Sequence, residues 1–352
     1  NIHSNQMVNV KREGIILKPT KLPFENKGVF NPACIRVGKY VHMFYRAWDK
    51  NQRSTIGYCK LDGPLKVVER NKKPFFPKKK HDELHYEDPR IVKIGKKYHL
   101  TYILYDGLNV HINHKTSNDL KTFKDLGSLS PEITYVETEQ LFQKRSRELK
   151  ERYFLFASHY KANVGPDVLI WDKDAFLFPK KIKGKYALVH RILPDIQIAY
   201  FKDFKDLNLS YWKKYFRNLP DHVLLQSRHW FESRNLGGGC PPIETKHGWL
   251  FIYHAVDDMD KGKTYRAGAA LLDKKDPTKV IAHLHEPLLS PTEKWERIGN
   301  VNNVVFPTGA AQFGDRLYIY YGAADKYIAA ISVDMKELLD DLLHNPKNKQ
   351  FR

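Results

Sequence analysis

The stretch GKKYHLTYILYDGLNVHINHKTSNDL, residues 95–120, contains the pattern that decides the fold. Apolar and polar residues alternate over Tyr98–Tyr105, Asp106 and Gly107 interrupt the alternation, and a second alternating run begins at Val110. Alternation with a period of two is typical of a strand with one buried face, and an Asp-Gly pair favours a tight turn. The stretch therefore predicts a β-hairpin whose first strand follows a glycine.

Four other segments of the chain share this shape. Each starts with a glycine, continues into a tyrosine-rich alternating strand, and in most cases meets a second strand within about ten residues. Repeated hairpins at this spacing are typical of the blades of a β-propeller. The sequence thus predicts an all-β fold, a five-bladed β-propeller, with a two-sheet sandwich as the alternative; the five segments begin at Gly38, Gly95, Gly184, Gly248 and Gly314.

Three segments depart from the strand pattern and predict helices. Residues 137–153 are highly charged and helical in character, residues 211–216 form a short helical candidate, and residues 335–344 are amphipathic. The first of these lies in the long gap between the second and third hairpins. We therefore expect residues 1–352 to form a single propeller domain with an insertion at about 130–165 and a C-terminal helix packed on its outside.

The composition limits the class of protein. Of the 352 residues, 59 are Lys or Arg and 40 are Asp or Glu, which gives a formal net charge of +19 and favours anionic partners. No run of 18 apolar residues is present, so no membrane span is predicted, and the three cysteines form no metal motif or disulfide framework. We expect a cytoplasmic protein, or a periplasmic one if a signal peptide has been removed.

Charged residues recur beside the repeated hairpins. If the hairpins are blades, their glycine-led strands are the innermost ones and line a central channel, and these residues lie near one end of it. Each has an ordinary structural explanation: Arg46 could pair with Asp49, and His254 could be a satisfied core histidine. Arg90 could orient a neighbouring acid or simply pair with Glu87. Their recurrence in every unit nevertheless favours a convergent site, formed by Arg46, Asp88, Arg90, Arg191, His254 and Asp325.

Several longer motifs, in a fixed order, resemble glycoside hydrolase family 130. This family comprises mannoside phosphorylases and some β-mannosidases on a five-bladed β-propeller. The similarity extends from residue 29 to about Val333 and is weaker between residues 108 and 165. The motifs are YEDPRI (86–91), DKDAFLFPKKIKGKYALVHR (172–191), GGGCPPIETKHGWLFIYHAVDD (237–258), NNVVFPTGA (302–310) and YIYYGAADKYIAAISV (318–333).

The resemblance implies roles for four residues on the sugar side. The Asp of EDPR is the general acid of such enzymes, and that position is Asp88. The Asn of NPA, the Arg of YRA and the Asp that closes YYGAAD hold the mannosyl unit. These positions are Asn31, Arg46 and Asp325.

The resemblance also implies a cationic set that holds phosphate. Its members here are Lys173, Arg191, His254 and Tyr265, with Arg53 completing the set. One position departs from the pattern, because this chain has Lys173-Asp174 where some phosphorylases have Arg-Asn. Lys retains the charge but not the planar fork of Arg, and Asp174 would repel a phosphate placed directly against it.

These residue types favour one chemistry over its competitors. Inverting hydrolysis needs an acid and a second carboxylate that activates water, whereas phosphorolysis needs an acid and cations that hold phosphate. The sequence therefore predicts a β-mannoside phosphorylase that yields α-mannose 1-phosphate, with a β-mannosidase as the alternative and a non-catalytic propeller that binds nucleic acid or protein as a third hypothesis. We expect a manno-oligosaccharide or mannosyl glycoside as substrate, phosphate as co-substrate, and no metal, other cofactor, nucleic acid or membrane partner. The acceptor, the linkage and homo-oligomer formation stay open.

Overall fold

The computed structural model describes residues 8–76, 84–144, 148–259 and 262–349. The chain is mainly antiparallel β-structure and begins with strand β1 (Lys11–Leu17). Two four-stranded sheets follow. Sheet I contains β2 (Gly28–Val37), β3 (Tyr40–Trp48), β4 (Ser54–Asp62) and β5 (Lys66–Arg70), and sheet II contains β6 (His85–Ile94), β7 (Lys97–Tyr105), β8 (Val110–Ser117) and β9 (Phe123–Ser128).

Three further sheets complete the fold. Sheet III contains β10 (Lys173–Leu177), β11 (Tyr186–Arg191), β12 (Ile196–Phe201) and β13 (Val223–Leu225). Sheet IV contains β14 (Asn235–Gly238), β15 (Ile243–Thr245), β16 (Gly248–Asp257), β17 (Thr264–Leu272) and β18 (Val280–His283). Sheet V contains β19 (Val305–Phe313), β20 (Arg316–Ala323) and β21 (Tyr327–Asp334), and β1 joins its outer edge beside β21.

The five sheets contact one another in chain order and the contacts return to the first sheet. Strand β2 contacts both β6 and β19, β6 contacts β10, and β10 contacts β14. Sheet IV reaches sheet V through β16 and β17, which both contact β19. The strands that begin the sheets therefore form most of the contacts between sheets.

The glycine turns occupy a different place in the sheets from the one we predicted. Each predicted hairpin forms, but its two strands are the second and third of a sheet, as β3 pairs with β4 and β7 with β8. Another strand precedes each hairpin and contacts the neighbouring sheets. The prediction that the glycine-led strands are innermost is therefore wrong.

A β-bulge interrupts the first strand of four sheets. The register shifts between Phe30 and Ala33, Glu87 and Arg90, Lys173 and Phe176, and Pro307 and Gly309. In three of them a non-glycine residue with a φ of 48–50° occupies the bulge: Asn31, Asp88 and Asp174. Among non-glycine residues, Asn and Asp adopt this left-handed conformation most readily. Such conformations cluster at functional sites, and bulges re-aim side chains next to active sites.

Five α-helices and five 3-10 turns complete the described chain. The charged segment near residue 145 forms two helices rather than one, and residues 145–147 between them lie outside the described residues. The insertion packs into the same core as the strands, since Tyr135, Phe142 and Tyr153 are buried against residues of sheets II and III. The α-helices are α1 (Tyr135–Gln143), α2 (Glu151–Val164), α3 (Leu209–Arg217), α4 (Lys294–Arg297) and α5 (Met335–His344); the 3-10 turns are Pro23–Glu25, Phe204–Asp206, Leu219–His222, Trp230–Glu232 and Pro346–Lys349.

Two further sequence expectations bear on the fold. None of the helices within the described ranges is long and apolar enough to cross a membrane. The three cysteines, Cys34, Cys59 and Cys240, are buried and free.

Candidate active site

The bulges of sheets I and II bring an amide and a carboxylate into contact. Asn31 Nδ2 donates a 2.9 Å hydrogen bond to Asp88 Oδ1. Arg46, on β3, lies beside the same group, with its Nη1 3.7 Å from Asp88 Oδ1 and its Nη2 3.1 Å from Glu87 Oε1. Both contacts of the Asp88 carboxylate within the described residues fall on Oδ1, so Oδ2 is the oxygen available to carry a transferable proton.

Asp325 belongs to the same group of side chains. It follows β20 with a φ of 49° and interacts electrostatically with Arg46, Asp88 and Glu87. Burial raises the pKa of Asp325 to about 6; Arg46 opposes this rise, while the negative charges of Asp88 and Glu87 add to it. We call Asn31, Arg46, Glu87, Asp88 and Asp325 the carboxylate half of the site.

Arg90 anchors the carboxylate half to the neighbouring sheets. The side chain is fully buried, and its Nε and Nη2 donate to the carbonyl oxygens of Gly239 and Gly238, each at 2.8 Å. Its Nη1 donates to the carbonyl oxygen of Asp88 at 3.0 Å, which fixes the backbone of the bulge. The alternative pairing of Arg90 with Glu87 is wrong, because the hydrogen bond of Glu87 is with Arg46.

A second group of side chains carries mainly positive charge. Arg191 Nη1 lies 3.4 Å from Asp174 Oδ2, and His254 Nε2 lies 3.8 Å from the same oxygen. The His254 ring stacks on Phe306 at 4.3 Å and lies 6.1 Å from the ring of Tyr265. We call Lys173, Asp174, Arg191, His254 and Tyr265 the cationic half; four of these five are the phosphate ligands that the sequence predicts.

The two halves of the site are neighbours. Lys173 Nζ lies 4.0 Å from Glu87 Oε2, which joins the bulges of sheets II and III. Arg90 adds a second link, because its Nη2 lies 3.5 Å from Asp174 Oδ1. The structure therefore brings together eight of the nine predicted site residues.

Arg53 is the predicted residue that the structure does not place with the others. It lies exposed at the turn before β4, where its backbone N–H donates to Asp49 Oδ1 at 2.9 Å. No contact joins its side chain to the cationic half within the described residues. Its role in phosphate binding stays a prediction.

The local charges explain how an acid is accommodated at position 174. Burial pushes the pKa of Asp174 upwards, but the charges of His254, Arg191, Arg90 and Lys173 outweigh it and hold the pKa below its ordinary value. His254 contributes its charge only in acid, where it is protonated, because burial lowers its pKa to about 4; near pH 7 it is neutral. The arginines and Lys173 therefore supply the compensating charge, and Asp174 acts as their buried counter-ion.

Both halves contain polar atoms that no described residue satisfies. In the carboxylate half this atom is Asn31 Oδ1, which can only accept a hydrogen bond. In the cationic half the atoms are Arg191 Nε, which can only donate, and His254 Nδ1. Because buried polar groups are normally paired, these atoms could bond to a ligand that offers a hydroxyl on one side and an acceptor on the other.

Close packing around these atoms requires glycine at two positions. A Cβ at Gly237 would overlap the ring of His254 and approach Asp174 Oδ2 to 2.7 Å. A Cβ at Gly322 would overlap Asn31 Oδ1. The glycine run at 237–239 thus brings backbone against the site.

The sequence did not identify three further residues near the cationic half. Arg234 and Lys263 both interact electrostatically with Tyr160, and Arg191 does so as well. Burial lowers the pKa of Lys263, and the positive charges of Arg234 and Arg191 lower it further. Arg234 lies three positions before the glycine run, a position that could have pointed to it; Tyr160 lies on α2 and gave no signal.

One group of side chains among the described residues has the composition of a metal site: His229, Glu232 and His283. Glu232 and His283 are fully buried, and His283 Nε2 lies 2.8 Å from Glu232 Oε2. Tyr253 hydroxyl bonds to both of them. These hydrogen bonds join Glu232, His283 and Tyr253 to one another, and the group contains none of the predicted site residues.

Comparison with known proteins shows the family of this chain. The family model described as β-1,4-mannooligosaccharide phosphorylase, glycoside hydrolase family 130, matches residues 7–344. A 1,2-β-oligomannan phosphorylase of Thermoanaerobacter sp. strain X514 is 34% identical over 94% of this chain and 99% of its own. A β-1,2-mannobiose phosphorylase of the same strain is 34% identical over 92% of this chain and 96% of its own.

A solved structure shares the fold over nearly the full length. The complex of Listeria innocua β-1,2-mannobiose phosphorylase with β-1,2-mannobiose superposes with a TM-score of 0.70 at 25% identity. The match covers 95% of this chain and 99% of the Listeria chain. By the family model and the full-length relatives, this chain belongs to glycoside hydrolase family 130.

Proposed function

We propose that this protein is an inverting phosphorylase that cleaves β-mannosides with inorganic phosphate and releases α-mannose 1-phosphate. The observation that carries the proposal is the pairing of two unlike half-sites: an acid at Asp88, and a cationic half whose Arg191 Nε is buried without a partner among the described residues. A phosphate oxygen would satisfy that donor.

The five sheets are, on this proposal, the blades of a five-bladed β-propeller that forms one catalytic domain. The cyclic order of contacts between the sheets supports it, as does the repeated bulge in their first strands. The pairing of β1 with β21 would join the start and the end of the ring. The helical insertion then covers one side of the propeller.

Asp88 is the general acid in this scheme. It transfers its proton to the glycosidic oxygen as the bond from that oxygen to C1 breaks, and the shortened sugar leaves with a new hydroxyl. Asn31 and Arg46 hold Oδ1 and leave Oδ2 for the transfer. Arg90 holds the Asp88 backbone, which keeps the acid in place.

Phosphate is the nucleophile on the opposite face of the sugar. One of its oxygens attacks C1 as the glycosidic bond breaks, and this displacement converts the β-linkage into an α-phosphate. Lys173, Arg191, His254 and Tyr265 hold the anion in line with C1, and Arg53 remains the further candidate. The scheme uses no cofactor or metal.

The hydrolase alternative needs a carboxylate free to act as a base for water. Asp174 is the carboxylate of the cationic half. Its two oxygens lie within 3.8 Å of Arg90, Arg191 and His254, and the pKa of the group is held below its ordinary value. A carboxylate engaged in this way is a weak base, which favours phosphate over water as the nucleophile.

The mannosyl unit lies between the two halves. Asn31, Arg46 and Asp325 supply the acceptors and donors for its hydroxyl groups. We take a β-1,2-linked mannoside as the first candidate substrate, because both full-length Thermoanaerobacter relatives act on such sugars by name. A β-1,4-linked manno-oligosaccharide, which the family description names, is the second.

The reverse reaction tests the function and the linkage together. The purified protein is incubated with α-mannose 1-phosphate and a panel of acceptors, namely mannose, β-1,2-mannobiose, β-1,4-mannobiose and glucose. We expect phosphate release to require an acceptor and to be fastest with mannose or β-1,2-mannobiose. If none of the acceptors caused the release of phosphate from α-mannose 1-phosphate, the result would contradict the proposal. A faster reaction with β-1,4-mannobiose would indicate a β-1,4-linked substrate instead.

A further inference from the structure

Helix α2 presents three residues, Arg152, Phe156 and Tyr160, at intervals of four. Side chains spaced in this way lie on one face of a helix. We propose that this face is a working part of the phosphate site: Tyr160 donates a hydrogen bond to the bound phosphate, and Arg152 with Phe156 holds Arg234 beside it. The proposal rests on the phosphorylase function and extends it to an element outside the sheets.

Arg152 fastens the helix to the segment that carries Arg234. Its Nη1 donates to the carbonyl oxygen of Ser233 at 2.6 Å, and its Nη2 donates to that of Arg234 at 2.5 Å. Two charge-assisted bonds to consecutive carbonyl groups fix both position and orientation. Helix α2 therefore holds the carbonyl group of Arg234, while the N–H of Arg234 donates to the carbonyl oxygen of Val256 at 2.9 Å.

Phe156 supports the side chain of Arg234. The guanidinium of Arg234 lies 5.4 Å from the centre of the Phe156 ring, and that of Arg152 lies 5.6 Å from it. A guanidinium over an aromatic ring keeps its N–H groups free to bind an anion in the plane. One of these groups already donates to Asn235 Oδ1 at 2.7 Å, which limits rotation of the side chain.

Tyr160 completes the face. The positive charges of Arg191, Arg234 and Lys263 all act on its hydroxyl group. A tyrosine hydroxyl can donate its proton to an anion that lies among such cations. The ring is held by Tyr135, stacked at 6.1 Å, and by Trp171 at 5.6 Å.

One of the rings that hold Tyr160, that of Trp171, also lies beside a predicted phosphate ligand. Lys173 Nζ lies 5.0 Å from the centre of the Trp171 ring. Cations of the site therefore lie at both ends of a row of aromatic side chains that begins in the insertion and ends just before β10: Arg234 lies beside Phe156, and Lys173 lies beside Trp171. A purely structural insertion would not require a hydroxyl, two guanidiniums and an ammonium to converge in this way.

The test compares the Michaelis constants for phosphate and for the mannoside in matched variants. Tyr160→Phe removes only the hydroxyl, and we expect the KM for phosphate to rise about tenfold while the KM for the mannoside changes less than about twofold, because one hydrogen bond to a charged group is lost. Arg152→Ala is expected to raise the phosphate KM by a similar factor, with partial recovery in Arg152→Lys. Leu155→Ala, at a 60% exposed position on the other face of α2, is the control that leaves both constants unchanged.

Thermal melting separates folding from binding in these variants. If Arg152→Ala melts at a much lower temperature, Tyr160→Phe alone carries the test. An unchanged phosphate KM in Tyr160→Phe, while the wild-type protein requires phosphate, would overturn this inference and leave the proposed function standing. A wild-type protein that needs no phosphate would overturn both.

Discussion

The two halves of the site differ in charge and in the kind of atom that they leave unpaired. The carboxylate half places Glu87, Asp88 and Asp325 around a single guanidinium, Arg46, and its unpaired atom is an acceptor. The cationic half places one carboxylate, Asp174, among several cations, and its unpaired Arg191 Nε is a donor.

This difference indicates what each half binds. An acceptor beside carboxylates suits the hydroxyl groups of a sugar, whereas a donor among cations suits an anion. The proposed acid lies in one half and the proposed phosphate ligands in the other, and Lys173 and Arg90 link the two halves. Cleavage at the boundary of the two halves, with a proton from one and a nucleophile from the other, follows from that separation.

Removing the proton donor should have the largest effect. Asp88→Asn keeps the size of the side chain and loses the transferable proton, so kcat should fall by about 10²- to 10⁴-fold with little change in mannoside binding. Steady-state kinetics and calorimetric titration of mannoside measure the two quantities. Glu87→Gln is the matched control in the same bulge and should lose much less; turnover near the wild-type value in Asp88→Asn would remove Asp88 from this role.

Removing a cation from the other half should act on phosphate instead. Arg191→Ala loses a charge-assisted contact of roughly 1.5–3 kcal/mol, which corresponds to about one to two decades in kcat/KM for phosphate. Arg191→Lys should recover only part, because a point charge does not reproduce the two-pronged contact. Arg217→Ala, at an exposed position on α3, is the control. Equal losses for phosphate and mannoside would contradict the division into two halves.

Asp325 tests the charge balance of the carboxylate half through stability. Because burial raises its pKa to about 6, the folded protein binds this proton more tightly than the unfolded chain does, and the fold loses stability as pH rises from about 4 to 6. Asp325→Asn removes that cost, so the free energy of unfolding of the variant should exceed that of the wild type by up to about 1–3 kcal/mol at pH 7.5. Near pH 4 the two free energies should not differ.

Urea denaturation at the two pH values measures this difference. The mannoside KM should rise in the same variant, since an ionised acceptor for the sugar is lost. A variant that is less stable than wild type at pH 7.5 would show that Asp325 stabilises the fold and that Arg46 outweighs its burial.

The repeated hairpins and most helices were predictable because their periodicities are local. The strands that follow the glycine turns, from Gly38 to Gly314, have apolar residues at the two-residue period of a strand. The segments near residues 211 and 335 have apolar residues at the 3.6-residue period of a helix. The first strands of the sheets were not placed. In four of the five sheets a bulge breaks the alternation of this strand, and in three of them Asn31, Asp88 or Asp174 lies at the bulge.

The contacts of the site residues with other parts of the chain were harder to predict from the sequence. Arg90 binds carbonyl groups about 150 positions away, at Gly238 and Gly239, and backbone acceptors carry no sequence signal. The negative charge of buried Asp174 is compensated in part by residues of other sheets, and sequence spacing does not reveal these contacts. Tyr160 lies on an insertion whose helical character is visible in the sequence. The contact of this insertion with Ser233 and Arg234 is a tertiary one, which the sequence pattern does not show.

The dependence of mannoside cleavage on phosphate concentration tests the assignment of the two halves most directly. β-1,2-Mannobiose is incubated with the protein over a range of inorganic phosphate concentrations, starting from phosphate-free buffer, and the products are followed by ³¹P NMR and by chromatography. We predict a rate that saturates with phosphate and falls to almost zero without it, with one α-mannose 1-phosphate formed for each bond cleaved. Release of free mannose at full rate in phosphate-free buffer would contradict the account, since water would then be the nucleophile and the cationic half would have another purpose.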